Sequence, residues 1–205
     1  MANMREIRTR IDSVKDTMKK VMDNAVSAFQ ATYAVNSRED FERAADLLMG
    51  AKRKIDLYGL ASSSVLALDA YYRMMRLGLP AVAVTDSMIC QISASMLDKE
   101  CLAMAFSYTG RTDDLLKAMQ AAKKRGAKTI CITSYADSPL ARLCDVTLIA
   151  ASKEREIQNI SMTSRMVQLL LLDSLCAYID FQKKEFTIRK RLEINEMLDD
   201  QYRLD

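Results

Sequence analysis

Five short apolar runs, at 55–58, 81–84, 101–106, 128–133 and 145–150, recur along the chain with helical stretches between them. That alternation constrains the fold more than any other feature. A strand with one wet face alternates polar and apolar residues, whereas a near-continuous apolar run needs cover on both faces. Strand, helix and strand in steady order is the grammar of parallel crossovers. The expected class is therefore α/β: a three-layer α/β/α sandwich around a five-stranded parallel sheet. The intervening helices are predicted at about 62–77, 87–97 and 111–125, a short helical stretch follows the turn at 134–139, and a long helix covers about 161–180.

Helices also extend the sandwich at both ends. Residues 4–34 hold no Gly or Pro, and Ile7, Ile11, Val14, Met18, Val21, Ala25 and Ala28 step by four and three, a heptad seam. Such a seam packs either on a second copy or on its own domain. The run Asn36-Ser37-Arg38-Glu39-Asp40 breaks the helix, with Ser37 and Asp40 spaced as an N-cap for a helix reaching Gly50. A last amphipathic helix is predicted at about 183–202. The expected organisation is a linker and dimerisation helix at 1–36, the α/β domain at 37–182, and the amphipathic helix at 183–205.

Composition narrows the chemistry. The 205 residues include no histidine, which removes Ser-His-Asp and Cys-His nucleophiles, imidazole bases and His-ligated zinc. Five scattered cysteines without a CxxC pair argue for buried free thiols in a reducing cytoplasm, with no metal site. A net charge of +3 gives no clear basic patch for nucleic acid. The charged N-terminus is no signal peptide, and no apolar run approaches the ~18 residues of a membrane span.

In an open parallel sheet, ligands bind beyond the carboxyl ends of the strands. Two of the loops there are rich in hydroxyls, carry a glycine and open into a helix: Gly59-Leu60-Ala61-Ser62-Ser63-Ser64 and Ser107-Tyr108-Thr109-Gly110-Arg111-Thr112. Helix N-termini present free N–H groups and a partial positive charge, which hydroxyl donors complete into an anion cradle. The same residues also suit plain turns and N-caps. Thr133-Ser134 follows the fourth run, and Ser152 leads to the helix opening at Ser161-Met162-Thr163-Ser164-Arg165. No GxGxxG and no GxxxxGK[ST] is present, so no nucleotide cofactor is expected, although Asp86 stands where a ribose-binding acid would.

Loop 107–112 resembles the S-x-S-G-x-T phosphate loop of SIS (sugar isomerase) domains, with Thr109 in place of the second serine. Gly59–Ser64 is similar to that family's first hydroxyl-rich turn. Gly126-Ala127-Lys128-Thr129-Ile130, Ser138-Pro139-Leu140-Ala141 and Asp145 match its order and spacing. Arg73-x-x-Arg76-Leu77-Gly78 and Met162-Thr163-Ser164-Arg165-Met166 look most like the effector domain of RpiR-type transcriptional regulators. The resemblance covers about residues 38–180, and residues 5–35 resemble the regulators' linker helix. It implies a sugar-phosphate site in which Ser107, Thr109 and Thr112, with backbone N–H groups around Tyr108 and Gly110, hold the phosphate. Ser62 and Ser63 would complete it, and Thr163, Ser164 and Arg165 would close the pocket. A homodimer or larger homo-oligomer is implied, with DNA reached only through a helix-turn-helix domain. Nothing before residue 40 has that domain's pattern of two short helices and a tight turn.

The competing reading is an aldose–ketose phosphosugar isomerase, such as 6-phospho-3-hexuloisomerase. That reaction needs a base, and only Glu154 and Glu156 stand near the expected place.

Overall fold

The computed structural model describes residues 14–152 and 162–182, with the isolated positions Ile188, Leu192 and Glu196. The start of the N-terminal seam, Glu154 and Glu156, and the C-terminal amphipathic helix lie outside the described residues.

Within them the chain runs α1 (Val14–Val35), α2 (Arg38–Gly50), β1 (Lys54–Gly59), a single 3-10 turn (Ala61–Ser63), α3 (Ser64–Arg76), β2 (Ala81–Val84), α4 (Ser87–Ser95), β3 (Cys101–Phe106), α5 (Asp113–Lys124), β4 (Lys128–Thr133), α6 (Pro139–Leu143), β5 (Val146–Ile149) and α7 (Met162–Gln182). The five strands form one parallel sheet in the order β2-β1-β3-β4-β5. Ser37 caps α2 as its spacing predicts, its Oγ accepting the Asp40 N–H at 3.0 Å.

Each strand sends alternate side chains to two separate cores. Ile55, Leu57, Leu102, Met104, Phe106, Ile130, Ile132 and Leu148 join Leu48 of α2, Leu66 and Met74 of α3, and Leu172 and Leu175 of α7. Tyr58, Val84, Ala103, Ala105 and Cys131 point the other way, onto Cys90 of α4, Met119 of α5 and Leu140 of α6. The sheet is therefore covered on both faces, which is why its strands read as unbroken apolar runs.

One polar group interrupts the second core. Asp56 is fully buried in β1. Its Oδ2 accepts hydrogen bonds from Tyr58 Oη at 2.8 Å and Ser93 Oγ at 2.6 Å. Lys54 Nζ lies 2.8 Å from Oδ1 but off hydrogen-bonding direction, an ion pair only, and donates to Ser93 Oγ at 2.7 Å. Burial and the neighbouring carboxylate push the Tyr58 phenol far above its ordinary pKa, so it stays a donor.

The seam helix divides. Ala25 and Ala28 are buried where α1 packs on α7, while Met18, Val21, Met22 and Val26 are exposed. Its C-terminal end clasps the sheet edge. Asn36 Oδ1 accepts the Ile149 N–H at 2.7 Å and Nδ2 donates to the Ile149 carbonyl at 2.8 Å. The side-chain amide thus pairs with β5 as a sixth strand would, and Thr32 Oγ1 accepts the Ala151 N–H at 3.0 Å.

Candidate functional site

The strand order fixes where a ligand can sit. From β1 the chain turns through α3 to β2, and from β2 it returns through α4 on the opposite face to β3. Chain direction across the sheet reverses between β1 and β3, and the crevice lies at their carboxyl ends. Gly59 and Phe106 are register partners there. The two hydroxyl-rich loops therefore leave from adjoining strand ends.

The first loop is tight. A Cβ on Gly59 would meet the Ser63 carbonyl oxygen at 2.3 Å, so only glycine lets the turn fold back onto the strand end. Ala61 has φ 49°, a left-handed conformation that costs a non-glycine residue energy and is often found at functional sites. Neither the 3-10 turn nor α3 has a side-chain cap at its start. Ser62 is exposed and Ser63 half-buried, and the turn bonds the Ser63 and Ser64 N–H groups to the Leu60 and Ala61 carbonyls.

The second loop is knit from its own hydroxyls. Ser107, buried, accepts the Gly110 N–H at 3.1 Å, and Thr109 accepts the Arg111 N–H at 3.3 Å. A hydroxyl that accepts an amide keeps its own proton to donate. The Gly110 amide expected to face a phosphate is thus already engaged. Further backbone donors lie in the first turn of α5, which Thr112 starts without a side-chain cap. The first bond inside that helix is Leu116 N–H to the Thr112 carbonyl at 3.0 Å. Gly110 has φ 61°, and a Cβ there would strike Ser138 Oγ at 2.3 Å. Asp113 and Asp114 share the first turn of α5, with Arg111 exposed next to them.

Strand β4 supplies what the loop patterns omitted. Thr133 Oγ1 donates to the Tyr108 carbonyl at 3.1 Å, and the Ser134 N–H donates to the same oxygen at 3.0 Å. Ser134 Oγ lies 3.3 Å from Ser152 Oγ, and Tyr108 meets Tyr135 edge to face at 5.6 Å. Ser134 and Ser152 carry hydroxyls into the same rim. Their loops have no glycine and no immediate helix, so the sequence places them after strands, and the strand order sets them beside the second hydroxyl-rich loop.

Thr163, Ser164 and Arg165 occupy the first turn of α7. Ser164 is buried and accepts Gln168 Nε2 at 3.3 Å, and Gln168 Oε1 has no hydrogen-bond partner among the described residues. Thr163 and Arg165 are half-buried. Asp86 has a local role instead of a ribose to hold: its Oδ1 accepts the Ile89 N–H at 2.9 Å as the cap of α4. Burial pushes the Cys90 and Cys176 thiols up to about 12, making them poor nucleophiles. Among the described residues no group of three or more Cys, Asp or Glu is placed to hold a metal, and no helix is long and apolar enough to cross a membrane.

The SIS domain family model matches residues 47–178. An uncharacterized HTH-type transcriptional regulator of Caldanaerobacter subterraneus subsp. tengcongensis is 35% identical over 190 residues, covering 93% of this chain and 67% of the relative. The HTH-type transcriptional regulator RpiR of Escherichia coli is 30% identical over 163 residues, covering 80% of this chain and 55% of the relative. Other curated relatives are longer, so the chain spans as little as 26% of a relative it matches. Among solved structures, the Vibrio vulnificus NanR protein complexed with ManNAc-6P superposes with a TM-score of 0.83 at 26% identity, covering 90% of this chain and 70% of that one.

Proposed function

The chain belongs to the SIS domain family, and from that membership we propose that it is the phosphosugar-binding, self-associating effector part of a transcriptional regulator of carbohydrate metabolism. The observation that carries this reading is the pair of hydroxyl-rich turns. They leave adjoining strand ends at the sheet's reversal point, and each opens a helix with no side-chain cap. A phosphate monoester dianion suits that arrangement. Ser107 and Thr109 donate their free hydroxyl protons, and Ser62, Ser63 and Thr112 add theirs from the two helix starts. First-turn amides of α5 supply the rest. Thr163, Ser164 and Arg165 then face the sugar from α7. The likeness to NanR, solved with an amino-sugar phosphate, supports the ligand class. The likeness to HTH-type regulators supports the regulatory role, with DNA contact made by a helix-turn-helix domain of such a regulator.

An isomerase would use the same phosphate site but needs a base to move a proton between carbons. The candidate bases, Glu154 and Glu156, lie outside the described residues, and the likeness to HTH-type regulators is what favours binding without turnover.

Thermal unfolding with a panel of hexose and amino-sugar phosphates tests the reading. A ligand at one hundred times its Kd stabilises by about 2.7 kcal/mol, a shift of roughly 5–10 °C for a chain of this size. Ser107→Ala should abolish the shift. A panel with no stabilising sugar phosphate, or ketose phosphate converted to aldose in a manner lost with Glu154→Gln or Glu156→Gln, would overturn it.

A further inference from the structure

Two of the cysteines that the sequence scatters are brought together by the fold. Cys131 lies in β4, fully buried in the second core. Cys144 is half-buried at the C-terminal cap of α6 and packs against that same core. Their thiols hydrogen-bond each other. That bond holds the Cys131 thiol below its ordinary pKa, against the effect of burial, and it raises the Cys144 thiol, which burial raises further. Thr147, the register partner of Cys131 on β5, has its Oγ1 3.4 Å from Cys131 Sγ. Lys123 flanks Cys144, its Nζ donating to the Leu143 carbonyl at 2.6 Å and pairing with Asp145 Oδ1 at 3.1 Å. Cys90 and Cys101 differ: their sulfurs bond to oxygens, of the Val84 carbonyl and of Asp98.

Helix α6 makes the pair consequential. It has only five residues, from Pro139 to Leu143. At its start it buttresses the second hydroxyl-rich loop. The Leu140 N–H donates to the Gly110 carbonyl at 3.1 Å, and Ser138 fills the space a Gly110 side chain would take. At its end stands Cys144, whose N–H donates to the Leu140 carbonyl at 3.2 Å. One short turn of helix therefore joins the half-buried thiol to the loop that carries Ser107 and Thr109.

We propose that Cys131 and Cys144 form a reversible disulfide that weakens ligand binding at the second hydroxyl-rich loop. The disulfide stands on the placement of the two thiols, and its effect on binding rests on the phosphate site of the proposed function. The co-reactant is a peroxide. One Sγ–Sγ bond forms, two S–H bonds and the O–O bond break, and both protons leave in two molecules of water as the thiols give two electrons to the peroxide. Disulfides in reducing compartments are transient and serve redox sensing, and thiol exchange with a dithiol reductant reverses them. Closing a hydrogen-bonded contact to a bond of about 2.05 Å draws the end of α6 toward β4 and its start with it. Ser138 and Leu140 then shift against Gly110, and the loop loses the arrangement that presents its hydroxyls to an anion.

Mass spectrometry of the whole chain tests the bond. Trypsin cuts after Lys128 and Arg142, so the two cysteines fall in separate peptides. Hydrogen peroxide should join those peptides, and dithiothreitol should release them. Titration calorimetry with inorganic phosphate tests the coupling. The oxidised chain should bind about tenfold more weakly, the loss of roughly one hydrogen bond to an anion, and reduction should restore the affinity. Cys144→Ser should give no linked peptide and an affinity that peroxide leaves unchanged. Cys131→Ala is a second variant with the same expectation, and circular dichroism melts show that each is folded. Peroxide treatment that leaves the two peptides separate would refute the disulfide. Linked peptides with equal phosphate affinity in both redox states would refute the coupling and leave the phosphate site standing. A reduced chain that binds no phosphate would remove that site and the coupling with it, while the linked peptide would still decide the disulfide.

Discussion

Adding one methyl group at Gly110 should cost more than its size suggests. Two penalties act together in Gly110→Ala. The backbone is left-handed at φ 61°, which a side chain makes unfavourable by about 1–2 kcal/mol. The new Cβ would also lie 2.3 Å from Ser138 Oγ and 2.6 Å from Ser138 Cβ. Ser138 cannot swing clear, because it is fully buried and its Oγ accepts the Ala141 N–H at 3.2 Å to cap α6. Overpacking of that kind adds roughly 1–3 kcal/mol. The sum, about 2–5 kcal/mol, lowers Tm by roughly 10 °C in a chain of this size. A double-mutant cycle separates the two penalties. Ser138→Gly alone should cost only about a few tenths of a kcal/mol, because glycine is a tolerable N-cap. In the Gly110→Ala background it removes both clashing atoms and should recover the packing part, leaving the backbone part and a mild contact with Thr133 Oγ1 at 3.0 Å. Urea unfolding of the four proteins measures the coupling. Strictly additive effects would refute the clash, and a Gly110→Ala protein as stable as wild type would refute both penalties.

Three further outcomes follow from contacts already described. Asn36→Ala leaves the Ile149 N–H and carbonyl without their side-chain partners. It should cost about 2–3 kcal/mol and raise aggregation from the uncovered edge, read by light scattering during a melt. At Asp145, burial works against the carboxylate, but the Thr129 hydroxyl, Lys123 and the Thr129 amide together hold its pKa below the ordinary 3.8. A depressed folded pKa means stability present above the unfolded value and lost as pH falls through the folded one. The urea midpoint gap between wild type and Asp145→Asn should be full at pH 7 and close as the pH falls below the ordinary 3.8 and through the depressed folded value. Finally, site donors that do not titrate leave the pH dependence of binding to the ligand. Affinity for a sugar phosphate by calorimetry should be flat above neutrality and fall as pH drops through about 6, the second phosphate pKa.

Much of this was legible before any coordinates, for identifiable reasons. The runs 81–84, 101–106 and 128–133 match β2, β3 and β4 residue for residue, and β3 is buried along its whole length. The first and last runs differ by a residue or so. Lys54 extends β1 by reaching the buried Asp56, and Asp145 before β5 turns its side chain to Thr129. Helix starts were less legible. The helix expected from about residue 62 begins at Ser64, because a 3-10 turn and the left-handed Ala61 precede it. Turn geometry of that kind is imposed by the Gly59–Ser63 contact, which sequence periodicity does not record. The two phosphate-type loops could be picked from glycine and hydroxyl content alone. Their adjacency, and the arrival of Ser134 and Ser152 beside them, depend on strand order, a long-range property. Asn36 reads locally as a helix breaker, and its bond to Ile149 spans 113 positions.

That bond also gives α1 a mechanical character. The helix is fixed to β5 by its last turn, and β5 leads directly to Ser152, which touches Ser134 at the rim of the candidate site. With 22 residues, α1 is a lever about 33 Å long at 1.5 Å per residue. Asn36 on β5 and the buried Ala25 and Ala28 on α7 hold the helix at two places, so a shift of the β5 edge would be carried along α1.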